Sequence, residues 1–222
     1  MPTVRGATLL GALACLACGC SGTRVSPDAP GGVSLAGYWK LDTAASEDPQ
    51  KILERMRTQA RKIIDRNVAI QQARIAAGAA APSDIPGDDE HGPRRNPLVH
   101  SQMAHVVQDV AARGEYLTVV QRPEEVAFDY GTVRRSYTPG VHSVVSSENG
   151  VADQRSGWSG RAYLIVVKPQ MGPEVTETYE LSGDGRHLTD KIHIAQYELP
   201  QVNLSRVYDL SDTAPPRQLP TD

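Results

Sequence analysis

Hydrophobic and polar residues alternate along most of the C-terminal half of the chain, which is the period of β-strands that bury one face. Val126, Phe128 and Tyr130 show the pattern clearly, and Asp184-Gly185 is a pair that two-residue hairpin turns prefer. The pattern predicts nine consecutive strands, at 115–121, 124–130, 132–137, 141–147, 151–157, 160–168, 173–181, 186–195 and 202–210. Short strands with turns at this spacing favour an antiparallel meander closed as a barrel.

One more strand is predicted before this series, near the start of the domain. Leu35, Gly37, Trp39 and Leu41 share one of its faces, because side chains alternate along a strand. Tryptophan and leucine favour burial, so this face is predicted to point inward, with Trp39 in the core.

Two helices are predicted between the first strand and the others. Asp48 is the expected N-cap of the first helix, and Pro49 occupies its first position. Apolar residues then recur three and four positions apart as far as Val68, which predicts a helix packed on the domain; a helix on a membrane surface or a partner is the alternative. The second helix is predicted at 98–112. The proline-rich, acidic segment 82–97 between them predicts a disordered loop rather than a metal site.

The last predicted strand carries an arginine on its apolar face. Val202, Leu204, Tyr208 and Leu210 alternate in step with Arg206, so all five side chains point to the same side. A buried guanidinium is costly unless it is paired. Its partner is predicted to be a protein carboxylate, an aromatic face or a ligand anion.

The turn positions favour the carboxylate. A turn at Asp184-Gly185 places Tyr179 opposite Asp190, and a symmetrical loop before the last strand places Asp190 opposite Arg206. The sequence therefore predicts a row of Tyr179, Asp190 and Arg206 across three strands. An arginine paired in this way has less need of a ligand, so a structural role for Arg206 is favoured over binding.

The first twenty residues have the layout of an export signal. Arg5 precedes an apolar run from Ala7 to Gly19, which is too short to cross a bilayer comfortably and ends at Cys20. All three cysteines of the chain lie within this segment. Cleavage before Cys20 would therefore leave no second cysteine for a disulfide.

The end of this segment, Ala17-Cys18-Gly19-Cys20, resembles the lipobox of bacterial lipoproteins. The resemblance implies a signal peptide at 1–19 and a lipid on Cys20, although Cys18 or Cys15 could be modified instead, and a plain secretory signal is the alternative. Ser21 resembles the signal for outer-membrane delivery, which implies a location on the periplasmic side of the outer membrane. The residues 20–32 then form a flexible tether.

Composition and motifs exclude several classes of function. The net charge of −3 and the aromatic content of 5% give no basis for a nucleic-acid surface. Gly157-Trp158-Ser159-Gly160 lacks the following glycine and the strand-to-helix turn of a nucleophile elbow. No catalytic pair, metal site or cofactor motif emerges, so the sequence predicts a protein that is not an enzyme.

The motifs Gly37-Tyr38-Trp39-Lys40-Leu41 and Arg206-Val207-Tyr208 together resemble the calycin superfamily of ligand-binding barrels. In calycins a Gly-x-Trp of the first strand packs against an arginine of the last strand. The order of one strand, two helices and nine strands is similar to the fatty-acid-binding branch, which implies that Arg206 and Tyr208 hold a ligand carboxylate. The segment 43–114 is longer than that branch's helical lid, and the export signal and the lack of an arginine at 173–185 also depart from it.

The sequence thus predicts one mainly β, calycin-like barrel domain at 33–212, with a helical insertion at 48–112 and a tail at 213–222. The predicted function is that of a periplasmic lipoprotein, attached to the membrane by its N-terminal lipid, that binds a hydrophobic small molecule or lipid. The ligand-binding or barrel-closing candidates are Trp39, Tyr179, Asp190, Arg206 and Tyr208. The alternative is a structural or interaction lipoprotein with a filled barrel. The sequence does not indicate an oligomeric state.

Overall fold

Ten strands and two helices make up the fold. The structure, a computed structural model, describes residues 24–78, 97–147, 150–197 and 199–216. In chain order the elements are β1 (Gly37–Asp42), α1 (Pro49–Ala76), α2 (Gln102–Ala112), β2 (Tyr116–Gln121), β3 (Val126–Asp129), β4 (Arg134–Tyr137), β5 (His142–Ser147), β6 (Gly150–Ser159), β7 (Ala162–Pro169), β8 (Glu174–Leu181), β9 (His187–Ala195) and β10 (Val202–Ser211). Every predicted strand and helix is confirmed, with shifted ends. The predicted export signal, Cys20 and nearly all of the 82–97 loop lie outside the described residues.

The strands form one antiparallel sheet in the order β4-β3-β2-β1-β10-β9-β8-β7-β6-β5. Strands that follow one another in the chain are paired, except β4 and β5, and the first strand also pairs with the last. Within the described residues, the edges of the sheet are β4 and β5. The sheet curls into a half-barrel, so the predicted mainly β, antiparallel architecture with two helices after the first strand is confirmed.

The registers of the last three strands follow the predicted turns. Tyr179 lies opposite Asp190 in the β8–β9 ladder, and Asp190 lies opposite Arg206 in the β9–β10 ladder. The turn itself differs from the predicted two-residue turn: the Gly185 N–H donates to the Ser182 carbonyl at 3.0 Å, so Gly183 and Asp184 are its central residues. Gly185 follows with a φ of 73°, a left-handed conformation that glycine adopts without strain. The predicted row across three strands is therefore confirmed at the level of the backbone.

Side chains from nine of the ten strands meet in one inner cluster, which the curl of the sheet makes possible. Its buried members are Val33, Leu35, Trp39, Leu117, Val119, Val126, Phe128, Tyr130, Tyr137, Trp158, Tyr163, Ile165, Tyr179, Leu188 and Tyr208. Trp39, Tyr163, Tyr179 and Tyr208 are all 1% exposed or less, so they border neither solvent nor a cavity that would admit water. The interior of the half-barrel is thus filled by the protein's own side chains at this level.

The helices pack against the end of β9 and the start of β10, and together they form a second cluster. Its buried members are Ile52, Leu53, Leu98, Met103, Ala104, Val107, Val110, Ile192, Ile194, Val202 and Leu204. The Asp48 carboxylate caps α1 by accepting a hydrogen bond from the Gln50 N–H at 2.9 Å, as predicted. The hydroxyl of Ser101 caps α2, so this helix begins at Gln102 rather than at the predicted position 98.

Helix α1 packs on the domain only through its first turns. Ile52 and Leu53 are its buried residues, whereas every residue from Arg61 to Ile70 is exposed. The prediction of a packed helix is therefore wrong for the second half of α1. No helix in the described part of the chain combines the length and the apolar character needed to span a bilayer.

The described part of the predicted tether makes contact with the sheet. Ser26 pairs with Trp158 on β6 through two backbone hydrogen bonds of 2.7 and 2.8 Å. Gly157 makes this close approach possible, because a Cβ at its position would lie 2.7 Å from the Ser26 carbonyl oxygen. The chain is thus attached to β6 eleven positions before β1 begins.

Candidate functional site

Arg206 lies on the buried face of β10, and its guanidinium points to the C-terminal end of α2. It donates hydrogen bonds to the carbonyl oxygens of Val110, Arg113 at 3.3 Å and Gly114 at 3.1 Å. The last carbonyls of a helix have no partner within the helix, and the negative end of its dipole favours a cation. Arg206 therefore caps α2 and fastens it to the sheet.

The predicted pairing of Arg206 with Asp190 is not formed. Although the two residues are opposed in the ladder, no ion pair within 4 Å joins them in the described chain. Arg113, which directly follows α2, takes the place of Arg206 and lies with its Nη1 3.0 Å from Asp190 Oδ2. The carboxylate is thus paired, as it was expected to be, but with a residue from outside the strand ladder.

Arg113 also binds Glu177, a buried residue of β8. Its Nη2 lies 2.6 Å from Glu177 Oε1, and its Nη1 lies 3.3 Å from Oε2. Both side chains are buried, with exposures of 5% and 4%. This is a bidentate contact, in which a guanidinium and a carboxylate form two hydrogen bonds side by side. Arg113 is thus shared between two acids, Glu177 and Asp190.

Of the two buried acids, Glu177 has more neighbouring groups that stabilise its negative charge. Arg135 approaches its Oε1 at 2.9 Å, and the Tyr179 hydroxyl donates to its Oε2 at 2.7 Å. Burial alone would raise the pKa of Glu177, but Arg113 and Arg135 hold that pKa well below its usual range. Glu177 is therefore a buried carboxylate that stays ionised.

Asp190 has fewer groups that stabilise its negative charge. Burial, and then the neighbouring charge of Glu177, raise the pKa of Asp190 to about 7, and Arg113 offsets only part of this. Its Oδ2 faces Arg113, whereas its Oδ1 has no hydrogen-bond partner among the described residues. Asp190 is thus a buried acid whose protonation changes near neutral pH.

The raised pKa predicts that the protein is more stable at pH 5 than at pH 8. An unfolded aspartate titrates near pH 4, so between about pH 4 and pH 7 the folded state binds more protons, and the free energy of unfolding falls as pH rises. The expected loss is on the order of a few kcal/mol, measured by urea unfolding at pH 5, 6, 7 and 8. Glu177 adds little in this window, because its lowered pKa affects stability only below about pH 5.

Two variants identify the source of this pH dependence. Asp190→Asn removes the titrating group and should flatten the dependence of stability on pH. Glu180 is an exposed carboxylate next to Lys191 on the same sheet, so Glu180→Gln should leave this dependence unchanged. A wild-type protein that gains stability from pH 5 to pH 8, or a profile that Asp190→Asn does not alter, would contradict the expectation.

The remaining predicted site residues lie in the inner cluster. The Trp39 indole N–H donates to the Leu35 carbonyl at 3.0 Å, while the ring that the Arg206 guanidinium faces is that of Tyr208, at 5.5 Å from the ring centre. The Tyr208 hydroxyl is buried and has no partner in the described chain. The structure thus places Trp39 and Tyr208 in the core, and Arg206 at the boundary between this core and the end of α2.

Three residues of the ion cluster were not among the predicted site residues: Arg113, Glu177 and Arg135. Two of them had a signal in the sequence, because Glu177 shares a strand face with Tyr179, and Arg135 shares one with Tyr137. Arg113 had none, since it lies beyond the end of α2, where the strand and helix periods do not apply.

The cluster is suited to holding the fold together. Three guanidinium groups surround two carboxylates: Arg113, Arg135 and Arg206 around Glu177 and Asp190. No group of three potential metal-binding side chains occurs within the described ranges. The cluster forms a polar layer between the inner cluster and the helix cluster, and it joins α2 to four strands.

An apolar pocket of about 530 Å³ opens on the helix-covered side of the domain. Three segments line it: α1, the residues 97–103 that lead into α2, and the connection between β9 and β10. Its apolar lining residues are Met56, Ala60, Ile63, Pro97, Leu98, Met103, Leu199, Pro200 and Val202, and its polar ones are Gln59, His100, Ser101, Gln102 and Gln196. Such a volume and lining are typical of sites for small amphipathic molecules.

The chain matches no protein-family model and none of the curated proteins. Among solved structures, it resembles a fatty acid transporter, REP1-NXSQ, with 12% identity, a TM-score of 0.41 and coverage of 81% of this chain and 98% of the other. It resembles apo lipid-binding protein 8 of Caenorhabditis elegans with 9% identity, a TM-score of 0.45 and coverage of 81% and 99%. For the zebrafish ileal bile acid-binding protein with cholic acid, the values are 11%, 0.40, 79% and 98%. These likenesses are too distant to carry an inference about the ligand of this chain.

Proposed function

We propose that the protein is a non-catalytic lipoprotein, held by its N-terminal lipid on the periplasmic side of the outer membrane, that binds an apolar or amphipathic ligand. The ligand is proposed to occupy the pocket between the helices and the β9–β10 connection. The predicted site deeper in the half-barrel is less suitable, because aromatic side chains and the ion cluster fill that space. Arg206, which the resemblance to the fatty-acid-binding branch implied would hold a ligand carboxylate, instead donates its hydrogen bonds to the end of α2.

The observation that carries this proposal is the pocket itself. Its volume of about 530 Å³ accommodates a small amphipathic molecule, and nine of its fourteen lining residues are apolar. The five polar lining residues bear amides, a hydroxyl or an imidazole, groups that form hydrogen bonds with a polar head. These features support binding of a molecule with one apolar and one polar end.

The test is to fill the pocket with a tryptophan. Ala60 is half-buried and lines the pocket, so Ala60→Trp should remove any lipid that co-purifies with the protein, as detected by native mass spectrometry. The same variant should weaken binding of the neutral apolar probe N-phenyl-1-naphthylamine about tenfold or more, because the pocket volume is lost. Ala69→Trp is the matched control, since Ala69 lies exposed on the same helix and does not line the pocket. Equal probe binding by the two variants would place the ligand elsewhere.

A second candidate function is that of a structural or interaction lipoprotein that binds no ligand. The filled inner cluster favours it, because a barrel packed solid needs no ligand to be stable. Under this alternative no lipid co-purifies, and the probe shows no saturable binding to the wild-type protein. The pocket experiment therefore distinguishes the two functions.

Membrane attachment is expected to depend on Cys20. Cells that express the protein with labelled palmitate should incorporate label into the wild-type chain, and Cys20→Ser should abolish this incorporation, because the modified thiol is absent. Label that persists in Cys20→Ser would move the site to Cys18 or Cys15, and a wild-type chain without label would exclude a lipid anchor.

A further inference from the structure

The second half of α1 extends beyond the packed part of the domain. The helix has 28 residues and is about 42 Å long at 1.5 Å per residue. Only Ile52 and Leu53 near its start are buried, and every residue from Arg61 to Ile70 is exposed. Fifteen of the sixteen residues from Arg61 to Ala76 are exposed, so more than half of its length lies free of the sheet.

This exposed part carries a row of large apolar side chains. Ile63 is 45% exposed, Ile64 48%, Val68 37% and Ile75 37%. Spacings of four residues from Ile64 to Val68 and of seven from Val68 to Ile75 keep these three side chains on one side of the helix. Ile63 lies about 100° round the helix from Ile64, at the edge of this apolar face that lines the pocket. Ile63, Ile64, Val68 and Ile75 are called the exposed stripe below. The stripe continues the pocket wall, because Ile63 belongs to both.

Helix α1 is also strongly basic. It contains seven basic and two acidic side chains, a net charge of +5, although the whole chain has a net charge of −3. Arg61 and Arg66 flank the exposed stripe on its two sides. Within the described chain, no carboxylate forms an ion pair with Arg61, Lys62 or Arg66. The cationic side chains around the stripe are therefore available to an anionic surface.

We propose that the exposed stripe of α1 docks on a bilayer that contains anionic phospholipids. Apolar side chains bounded by cationic ones are what a helix needs to lie in the plane of a membrane interface, with the apolar side toward the acyl chains and the arginines at the phosphates. A second copy of the chain fits less well, because it would place two helices of like charge side by side. This inference goes beyond the proposed ligand pocket and does not depend on it.

The test separates the helix from the predicted lipid anchor. The chain from residue 20 onward with Cys20→Ser keeps every described residue and cannot carry a lipid at this position. In co-sedimentation it should bind vesicles of about one-quarter phosphatidylglycerol in phosphatidylethanolamine at least about tenfold more tightly than vesicles of phosphatidylcholine. Raising the salt from about 0.1 M to about 0.5 M should weaken this binding, because screening shortens the reach of the charges.

Three double variants assign the binding to α1. Ile64→Gln with Val68→Gln and, separately, Arg61→Gln with Arg66→Gln should each weaken vesicle binding about tenfold or more, while the melting temperature stays unchanged because these residues are exposed. The control Val144→Gln with Val151→Gln, at exposed apolar positions of β5 and β6, should leave binding intact. Equal binding to the two kinds of vesicle, or α1 variants that bind as well as the control, would overturn the proposal. A wild-type protein that binds no vesicles and forms a dimer would also overturn it, if that dimer dissociates in the variant Ile64→Gln with Val68→Gln.

Discussion

Replacing Arg113 with methionine should lower the free energy of unfolding by about 3–5 kcal/mol, the usual cost of removing one partner from a buried ion pair. Arg113 is shared by Glu177 and Asp190, so its loss leaves two buried acids with less compensating charge. Methionine keeps an unbranched apolar side chain, so that most of the cost arises from the lost charge and hydrogen bonds. Urea unfolding at pH 8, where more of the Asp190 population is ionised, measures the effect at its largest.

Two further variants test this explanation. Adding Glu177→Gln and Asp190→Asn to Arg113→Met should recover part of the loss, because neutral amides need no counter-charge. Arg122→Met is the matched control: the Arg122 side chain is 63% exposed and lies 3.5 Å from Glu125, so its loss should cost less than about 1 kcal/mol. If Arg113→Met and Arg122→Met cost the same, the buried ion cluster does not stabilise the fold.

Truncating Trp39 to alanine should cost about 3–5 kcal/mol, the range for large core side chains. Its indole is 1% exposed, belongs to the inner cluster and donates a hydrogen bond to the Leu35 carbonyl. Truncation therefore opens a cavity in the inner cluster and leaves that carbonyl without this donor. Thermal or urea unfolding gives the value.

Tyr38 provides the comparison, because it is next to Trp39 in β1 but points to the other side of the sheet and is 41% exposed. Tyr38→Ala should cost much less than Trp39→Ala, since it removes little buried surface. A cost below about 1 kcal/mol for Trp39→Ala, close to that of surface substitutions, would show that this residue does not anchor the core.

The fold could be predicted from the sequence because one-sided burial imposes a period of two on a strand. A hairpin centred on Asp184-Gly185 gives the register of β8 and β9, and the opposition of Asp190 and Arg206 follows from the loop between β9 and β10. The start of α1 was equally predictable from the sequence. Asp48 is a preferred N-cap residue, and the backbone of Pro49 suits the first helical position. This part of the fold is thus predicted by the preferences of residues close together in the sequence.

The partners within the ion cluster could not be predicted in the same way. Strand register states which Cα atoms face each other, but a long side chain selects its partner from everything within reach, including residues of other elements. Arg206 reaches the end of α2 and Arg113 reaches Asp190, so each member of the predicted pair has its partner at the C-terminal end of this helix instead. The exposure of α1 was missed for a related reason: an apolar stripe such as that at Ile64 and Val68 shows that a face favours burial, without showing what buries it.

The pairing of the first strand with the last has a consequence for how the chain reaches its folded state. Trp39 lies opposite Leu210, 171 positions later, so the ladder between them joins the two ends of the domain. Contacts this distant in sequence form slowly, because the chain between them must first be brought together. Asp190 also has no neighbouring strand on one side until β10 is in place. A chain that emerges from the ribosome N-terminus first therefore cannot complete its sheet until its final strand has been made.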